Sequence, residues 1–374
     1  MKNFSMMRIA IVYDWIDTWG GVERVLLTLH RIFPKADFFT SYIDHKTASW
    51  ARDLNISASF IQRLPSVVRS NRVFSLMFYP YAFESFDFSQ YDVVISVTSS
   101  FAKGVITKPT TKHICYLLTP ARFLWVYPQL YKIPMLLRYP AVSMAAKLRE
   151  WDFIAARRPD KYLSISLAVA DRCKKYYQRE SEVLYPPFDS AYWNDVASKV
   201  AAQNFVQKKY FLIVSRLEPY KRVDLAVETF NHLPDQNLII VGAGSLLPVL
   251  RQKASNNTTF YSGLSDEDLA HLYKNAQALI MPQEEDFGYV ALEAQFFGCP
   301  VIAFDKGGSR ETVIDHQTGI FFDEQTVKSL TQAIERFHQI SYNGSQSLKR
   351  HIPHHLSTFS METFKKGMLR AVID

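Results

Sequence analysis

The chain is built from short apolar runs that alternate with stretches in which apolar residues recur every three or four positions. The first pair is RIAIVYDW, which predicts a buried strand, and WGGVERVLLTLHRIF, in which one helix face carries Val22, Val25, Leu26, Leu29 and Ile32. Further apolar runs, ADFFTSYI, DVVISVTS and KHICYLLT, predict more strands in the first half. Strands that alternate with helices indicate an α/β protein with a parallel, doubly wound sheet.

A second series of strands begins at Tyr210, with the runs KKYFLIVSRL, QNLIIVGAG, NTTFYSG, AQALIMP, PVIAFD and TGIFF. Between the two series, Pro186 and Pro187 remove backbone donors and stiffen the chain, so we place a domain boundary there. We expect Rossmann-like domains over 1–187 and 188–355, and a final helix over 356–374 that returns to the first domain. Because ligands of open parallel sheets bind beyond the carboxyl ends of the strands, the two sets of loops should face each other across a cleft.

Composition agrees with two globular domains. The chain has 374 residues, of which 48% are hydrophobic and 21% charged, and no run of eighteen apolar residues predicts a transmembrane helix. The apolar stretch in MKNFSMMRIAIVYDW is too short and too strand-like for a signal peptide, so we expect a cytoplasmic protein. Three scattered cysteines, Cys115, Cys173 and Cys299, support neither a disulfide framework nor a zinc site and are expected to be buried free thiols.

The net charge of +7 favours an anionic partner, which is a nucleic acid, a membrane surface or a nucleotide-linked substrate. Two segments, Ile61 to Phe88 and Pro120 to Trp151, interleave aromatic and basic residues; the second contains Arg122, Trp125, Tyr127, Tyr131, Lys132, Arg138, Tyr139, Lys147 and Arg149. Such surfaces suit an anionic lipid bilayer, and the protein would then sit peripherally at the inner face of the cytoplasmic membrane. The alternative is that the aromatics are core and the cations its solvated rim. No recognisable DNA or RNA module accompanies the charge, so nucleic acid is not expected.

The stretch from Pro282 to Ile302 carries the strongest signal for chemistry. It reads as a strand end, an acidic loop and a helix, VALEAQFFG, which Gly298 ends. Glu285 lies in the loop and Glu293 two turns into the helix, while the backbone N–H groups of Phe287, Gly288, Tyr289 and Val290 surround the positive end of the helix. This arrangement suits a phosphorylated ligand, with both carboxylates free for hydroxyl groups. The alternative for Glu293 is a solvated helix face.

Other strand-end loops add basic residues and glycines. Arg216 and Lys221 follow the strand FLIVSRL and would clamp two adjacent phosphates. Gly20 and Gly21 follow the first strand and would let the backbone approach a ligand closely, or simply make a tight turn. The GAG of 242–244 lacks the third glycine of a dinucleotide fingerprint, so we interpret it as a strand-to-helix turn.

Together these motifs are similar to a known enzyme family. VSRLEPYKRVD, IIVGAGSLLPVL, EEDFGYVALEAQFFGCPVIAFDKGGSRETV and HQTGIFF resemble, in order and spacing, the donor half of the retaining glycosyltransferases of family 4, which have the GT-B fold. The first half, with IAIVYDWIDTWGGVERV, DVVISVTSSFAKGV and CYLLTPARFLW, resembles more loosely the acceptor half of bacterial polysaccharide mannosyltransferases. The resemblance implies an acceptor-binding domain over 1–187 and a nucleotide-sugar-binding domain over 188–355.

The resemblance also implies a role for each candidate residue. Arg216 and Lys221 would neutralise the donor diphosphate, residues 287–290 would offer it backbone N–H groups, and Glu285 would hold the sugar hydroxyls. Glu293 would bind the ribose, and Gly20 and Gly21 would close over the diphosphate. Glu285, Arg216 and Lys221 would be the catalytic residues, with no metal and no other cofactor, because cations and a helix end stabilise the leaving group.

One position departs from the family pattern. The strand before the Thr-Pro pair commonly ends in a histidine that contacts the transferred sugar, and here that position is Leu118. Our leading interpretation is a retaining hexosyltransferase that transfers a mannosyl unit from GDP-mannose. It would extend a glycan or lipid-linked glycan in bacterial surface polysaccharide synthesis. The alternative is a weakly active or non-catalytic GT-B subunit that partners another glycosyltransferase. A nicotinamide dehydrogenase is disfavoured by the incomplete glycine fingerprint.

Overall fold

The computed structural model describes residues 7–69, 71–126, 135–199, 209–342 and 352–374. The chain divides into two compact units. The N-terminal unit comprises Met1–Pro187 and Met361–Asp374, and the C-terminal unit comprises Phe188–Ser360. Each unit is an α/β sandwich around its own parallel sheet, as the alternating pattern of the sequence predicted.

The sheet of the N-terminal unit has seven described strands, all paired in parallel. They are β1 (Ile9–Tyr13), β2 (Asp37–Thr40), β3 (Ile56–Ala58), β4 (Val93–Thr98), β5 (Lys112–Leu117), β6 (Lys161–Ser164) and β7 (Glu182–Val183). Their order across the sheet is β3-β2-β1-β4-β5-β6-β7. The order reverses between β1 and β4, which is where open parallel sheets bind ligands.

Helices cover this sheet. They are α1 (Gly21–Ile32), α2 (Ser66–Arg69), α3 (Tyr79–Glu84), α4 (Arg122–Trp125), α5 (Met135–Ala155) and α6 (Leu167–Tyr177). The predicted amphipathic face of α1 is confirmed, because Val25, Leu26 and Leu29 are buried. Helix α6 begins at Ser166, whose hydroxyl accepts a hydrogen bond from the Val169 N–H and so caps the helix.

The C-terminal unit repeats this plan with a sheet in the order β10-β9-β8-β11-β12-β13, again parallel. Its elements are α7 (Ser190–Lys199), β8 (Tyr210–Val214), α8 (Val223–Asn231), β9 (Asn237–Val241), α9 (Leu247–Lys253), β10 (Thr258–Tyr261), α10 (Asp266–Asn275), β11 (Leu279–Met281), α11 (Tyr289–Phe296), β12 (Val301–Phe304), α12 (Ser309–Thr312), β13 (Gly319–Phe322), α13 (Val327–Tyr342) and α14 (Ile352–Ser357). Helix α15 (Met361–Ile373) then belongs to the N-terminal unit.

Alternate residues of the central strands face two separate cores. In β8, Phe211 and Ile213 pack in one apolar cluster and Tyr210 and Leu212 in the other. Because helices cover both faces of the sheet, the strands can present polar groups to a ligand only through the loops at their ends.

The second basic–aromatic segment contributes two tryptophans to the packing of the N-terminal unit. Trp125 and Trp151 pack against the apolar cluster of the N-terminal unit. Their indole nitrogens donate to Asp152 (2.6 Å) and Glu84 (2.8 Å) respectively. For these two residues the structure agrees with the alternative that the aromatics belong to the core, and the lipid contact of the segment stays a prediction. Tyr127, Tyr131 and Lys132, and the side chains of Arg138 and Tyr139, lie outside the described residues.

Candidate active site

Three neighbouring strands of the C-terminal unit, β8, β11 and β12, end at the same edge of the sheet, and their loops meet there. The backbone of Glu285, in the loop after β11, forms a parallel bridge with Gly307, in the loop after β12. The Gly308 N–H donates to the Glu285 carbonyl oxygen at 2.8 Å. The loop after β12 therefore holds the acidic loop in place through these backbone contacts.

The side chains of Lys221 and Glu285 join the loop after β8 to the acidic loop. Lys221 Nζ forms an ion pair with Glu285 Oε1, and the two side chains are only 12% and 16% exposed. Gln283 Nε2 donates to the same carboxylate oxygen at 2.8 Å. Glu285 Oε1 therefore already has two partners in place of water, and the expected contact of this carboxylate with hydroxyl groups stays a prediction.

A second link between the same loops involves Gln325. Its amide nitrogen donates to the Pro282 carbonyl oxygen at 2.7 Å, and its amide oxygen accepts from Arg222 Nη1 at 3.1 Å. Arg222 has a left-handed backbone (φ 51°) at the start of α8, immediately after Lys221. Gln325 therefore links the turn immediately after Lys221 to the start of the acidic loop.

Arg216 differs from Lys221 in its exposure. Its side chain is exposed to solvent, with the guanidinium carbon 6.0 Å from the centre of the Tyr220 ring. Lys221 Nζ lies 5.4 Å from the same ring centre on the inner side of the loop. The predicted pair of cations therefore flanks one tyrosine, with Arg216 outside and Lys221 inside.

Helix α11 presents its N-terminus at this edge. Its N-cap is Gly288, whose φ of 92° is unfavourable for other residues, and no side chain caps the helix. The first N–H groups of a helix have no partner within it, so those around Tyr289 and Val290 carry the positive end of the helix dipole. Phe287 is buried and packs edge-on against Tyr289 and Phe359, at 5.2 and 5.5 Å between ring centres.

Glu293 is the fifth residue of α11, about one turn from its start, and is buried, with 4% of its surface exposed. The hydroxyl of Tyr273, on α10, donates to Glu293 Oε2 at 3.0 Å. The alternative that Glu293 lies on a solvated helix face is wrong. Its expected freedom for a ligand hydroxyl is also reduced, because one carboxylate oxygen already accepts a hydrogen bond within the unit.

Gly307 and Gly308 contribute to the site and were not among the predicted site residues. Gly307 has a φ of 72°, and a Cβ atom there would overlap the Glu285 carbonyl oxygen. A Cβ atom on Gly308 would lie 2.6 Å from the Phe287 Cα atom. The available signal was the glycine pair itself, which follows the strand run PVIAFD after one lysine.

The N-terminal unit contains the remaining predicted residues, Gly20 and Gly21, in the loop after β1. Gly20 is the N-cap of α1 with an extended backbone that any residue adopts, and Gly21 is the first helical residue. A Cβ atom on Gly20 would lie 3.1 Å from Glu23 Oε2, so the turn is crowded by its own helix. Their contact with a diphosphate stays a prediction.

Asp14 is the principal polar residue at this edge of the first sheet that the sequence did not single out. It follows β1 and is fully buried. Its carboxylate accepts hydrogen bonds at 2.8 to 2.9 Å from Thr98 Oγ1 and from the backbone N–H groups of Ser99, Phe101 and Ala102. Asp14 therefore fixes the loop after β4 against the end of β1.

The next strand, β5, is followed by Leu118, where the resembled family commonly has histidine. Leu118 is 7% exposed, and its backbone N–H donates to the Thr98 carbonyl oxygen at 2.8 Å. The side chain offers no hydrogen bond to whatever lies beyond the strand end.

A comparison with family models matches residues 197–350 to the family described as glycosyl transferases group 1. This segment belongs to the group 1 glycosyl transferases. The segment contains the eight predicted site residues of the C-terminal unit, together with Gly307 and Gly308. The resemblance to glycosyltransferase family 4 that the motifs predicted is confirmed.

Among curated proteins, part of the chain is similar to several bacterial glycosyltransferases. A GDP-mannose-dependent alpha-(1-6)-phosphatidylinositol monomannoside mannosyltransferase of Mycolicibacterium smegmatis is 34% identical over 138 residues, 32% of this chain and 36% of that protein. A D-inositol 3-phosphate glycosyltransferase of Mycobacterium tuberculosis is 28% identical over 185 residues, 46% of this chain and 38% of that protein. The chain spans little more than a third of the length of these relatives in the matched region.

Solved structures resemble nearly the whole chain. HepE from Anabaena in complex with UDP has a TM-score of 0.72 at 17% identity and covers 98% of this chain and 99% of its own. Sucrose-phosphate synthase from Thermosynechococcus elongatus has a TM-score of 0.74 at 16% identity and covers 97% of this chain and 98% of its own. WaaG, a glycosyltransferase involved in lipopolysaccharide biosynthesis, has a TM-score of 0.67 at 14% identity and covers 97% of this chain and 99% of its own. These likenesses confirm the predicted GT-B fold.

Two searches of the described residues complete the description of the chain. Within those ranges, no helix combines the length and the hydropathy needed to cross a bilayer. In the same part of the chain, no three His, Cys, Asp or Glu side chains are grouped so as to hold a metal ion.

Proposed function

We propose that the protein is a retaining glycosyltransferase that transfers a hexosyl unit from a nucleotide sugar to a glycan acceptor. The observation that carries this proposal is the Lys221–Glu285 ion pair, which lies where three strand-end loops of the group 1 segment meet. Such a site offers a cation for phosphate and a carboxylate for hydroxyl groups within one hydrogen-bonded cluster.

The donor diphosphate is the group that this edge of the sheet fits best. The exposed guanidinium of Arg216 approaches one phosphate from solvent, and Lys221 approaches the other from the inner side of the same loop. The N–H groups at the start of α11 add the positive end of a helix dipole. These groups stabilise the negative charge that grows on the leaving phosphate.

Glu285 holds hydroxyl groups of the transferred sugar. Its Oε1 atom is occupied by Lys221 and Gln283. Because a carboxylate has about four acceptor positions, it accepts sugar hydroxyls without losing the ion pair. Glu293 takes the ribose hydroxyls, and its bond from Tyr273 orients the carboxylate for them.

The transferred sugar keeps its anomeric configuration because the acceptor attacks the anomeric carbon on the same face from which the phosphate departs. The acceptor hydroxyl oxygen forms a bond to the anomeric carbon while the bond from that carbon to the phosphate oxygen breaks. The hydroxyl proton passes to the departing phosphate oxygen, so no separate base is needed. Arg216 and Lys221 stabilise the diphosphate before and after this proton transfer.

For the transferred sugar we propose mannose from GDP-mannose, supported by the M. smegmatis relative, whose name states a dependence on GDP-mannose. The acceptor is a glycan, and the lipid-linked form is the one we propose, in line with the role in lipopolysaccharide biosynthesis stated for WaaG. The structure of HepE contains UDP, so the base is the first property to test.

A thermal-shift comparison with GDP, UDP and ADP identifies the base, because a ligand that binds the native state raises the melting temperature by mass action. Release of nucleoside diphosphate from the matching nucleotide sugars then measures turnover. We expect a shift with GDP and turnover of GDP-mannose. A shift without turnover of any nucleotide hexose would favour the non-catalytic partner subunit that Leu118 suggests, and no shift with any nucleotide would overturn the proposed donor site.

A further inference from the structure

The buried amide group of Gln283, in the loop after β11, has a partner for only one of its two polar atoms. Gln283 is 4% exposed, and its amide nitrogen donates to Glu285 Oε1 at 2.8 Å. The nitrogen must face the carboxylate, because an ionised carboxylate only accepts hydrogen bonds. The amide oxygen is closed off from solvent and has no hydrogen-bond partner among the described residues. Because an unpaired buried carbonyl oxygen is costly, the bond to Glu285 fixes the amide at the expense of local stability.

The backbone of the acidic loop is held by other groups. The Gly308 N–H donates to the Glu285 carbonyl oxygen at 2.8 Å, and the Gln325 amide donates to the Pro282 carbonyl oxygen at 2.7 Å. Both contacts come from other loops of the C-terminal unit. The Gln283 amide therefore directs the Glu285 carboxylate and does not determine the path of its own loop.

The Glu285 Oε1 atom accepts from two donors of different chemistry, Lys221 Nζ and Gln283 Nε2. Lys221 is a cation on a flexible stem, and the proposed function assigns it to the donor diphosphate. The Gln283 amide is neutral and is not drawn to phosphate as a cation is. When the diphosphate takes Lys221, Gln283 still holds the carboxylate.

We propose that Gln283 is a positioning residue, which keeps the Glu285 carboxylate directed at the transferred sugar while the diphosphate draws Lys221 away. The inference rests on the proposed function, which assigns Lys221 to the diphosphate and Glu285 to the sugar. It also explains why a polar side chain with an unpaired oxygen occupies a buried position beside the ion pair. A side chain that served only to pack the loop would be more favourable if it were apolar.

Gln283→Met separates positioning from packing, because methionine is an unbranched side chain of similar length that offers no comparable hydrogen bond. The assay is release of nucleoside diphosphate from GDP-mannose, or from the nucleotide sugar that the parent turns over. The kcat should fall about tenfold, as for one lost bond to a charged group. The KM should be unchanged, because nucleotide binding depends on Arg216 and Lys221. The melting temperature should equal or exceed that of the parent, since the unpaired oxygen is removed together with the bond.

Gln295→Met is the matched control. Gln295 is fully buried in α11, its amide nitrogen donates to the Thr312 carbonyl oxygen at 2.7 Å, and its amide oxygen also lacks a partner within the described ranges. The substitution therefore removes the same atoms from a bond to the backbone instead of from a bond to Glu285. This variant should likewise keep or raise the melting temperature, and it should keep the parental kcat.

Double variants test whether Gln283 acts through Glu285. In a Glu285→Ala background there is no carboxylate to direct, so Gln283→Met should lower kcat no further. In an Arg216→Ala background Glu285 is intact, so the loss caused by Gln283→Met should be the same as in the parent.

The remaining outcomes overturn identifiable claims. Parental kcat in Gln283→Met, or an equal loss of kcat in Gln295→Met, would remove the positioning role. A melting temperature of Gln283→Met well below the parental one, or a further loss of kcat in the Glu285→Ala background, would show that Gln283 is a structural residue instead. A parent that turns over no nucleotide sugar would overturn the proposed function, and the role of Gln283 with it.

Discussion

Lys221 Nζ and Glu285 Oε1 form an ion pair between two loops that are 64 residues apart in the chain. The pair lies at the carboxyl ends of the adjacent strands β8 and β11, and Gln283 donates to the same carboxylate oxygen at 2.8 Å. The two residues are therefore a preformed polar unit, and an anionic donor must share Lys221 with Glu285. Substitutions can therefore distinguish the roles of the two residues, because a variant without the Glu285 carboxylate leaves Lys221 free to bind phosphate.

Arg216 should contribute to turnover and not to stability. Its side chain is exposed, so Arg216→Ala opens no cavity and should leave the melting temperature near that of the parent. Loss of one contact to the charge of the transition state, about 3 kcal/mol, should lower turnover of the nucleotide sugar on the order of a hundredfold. Arg251→Ala is the control, because Arg251 has the same 6.0 Å distance to an aromatic ring, that of Phe260, elsewhere in the unit. Equal turnover in the two variants would remove Arg216 from the site.

Gly307 should be needed for close packing under Glu285 and not only for its backbone angle. Gly263 has nearly the same φ, 68° against 72°, but a Cβ atom there meets nothing within 4 Å. Gly263→Ala should therefore cost only the left-handed backbone penalty, about 1 kcal/mol of unfolding free energy. Gly307→Ala should cost more and should also reduce turnover, because its Cβ displaces the Glu285 backbone. Denaturant unfolding of both variants measures the difference, and equal costs would show that the crowding is relieved elsewhere.

His113 should make the N-terminal unit sensitive to acid. Burial, with a smaller contribution from Arg158, lowers the pKa of His113 from 6.5 to about 3, and its Nε2 atom lies 2.8 Å from Ser96 Oγ. Because the folded-state pKa is below the unfolded one, the stability contributed by neutral His113 is complete above pH 6.5 and is lost as the pH falls towards 3. The slope is about 1.4 kcal/mol per pH unit, so about 2 kcal/mol should be lost between pH 6.5 and 5.

The matched variant for this prediction is His113→Gln, which keeps a polar side chain but does not titrate. Unfolding by urea at both pH values should show a smaller loss of stability for the variant than for the parent. Identical losses of stability in the parent and the variant would show that groups other than His113 cause the pH dependence.

Leu118 should select the transferred sugar. A leucine at this position leaves one hydroxyl of the transferred sugar without a partner, so the parent should discriminate only weakly between GDP-mannose and a nucleotide-linked deoxyhexose. Leu118→His should shift the ratio of kcat/KM values towards GDP-mannose, by about tenfold for one hydrogen bond regained. A parent that already prefers GDP-mannose, together with a histidine variant that gains nothing, would show that position 118 does not select the sugar.

Much of the fold was predictable because its strands are fully buried. The runs around Ile9–Tyr13 and Val93–Thr98 are mainly apolar and fully buried, as is typical of parallel strands covered on both faces. The edge strands Ile56–Ala58 and Glu182–Val183 were missed because three and two residues leave no apolar run to detect. Helix α5 was missed because Pro140 falls within its first turns and interrupts the helical signal.

The candidate site was predictable in its residues but not in their pairing. Arg216, Lys221 and Glu285 each follow a strand of the same sheet, which is sufficient to place them at one edge. Whether the Lys221 and Glu285 side chains form an ion pair depends on the conformation of their loops. That conformation is fixed here by the hydrogen bond from Arg222 to Gln325 and by Gly307 and Gly308, which pack against the backbone of the acidic loop. Nor does periodicity show that Glu293 faces Tyr273, because α11 has apolar residues on every side.

The central claim is that Glu285 acts on the transferred sugar while Lys221 and Arg216 hold the diphosphate, and Glu285→Gln tests it most directly. Turnover of the nucleotide sugar and affinity for the nucleoside diphosphate are measured on the same preparation, with Glu228→Gln, at an exposed glutamate of α8, as the control. We predict that Glu285→Gln lowers turnover about a hundredfold while the nucleotide Kd is unchanged or lower, since Lys221 is then free for phosphate. Parental turnover in Glu285→Gln, or a loss of nucleotide affinity as large as the loss of turnover, would contradict the account.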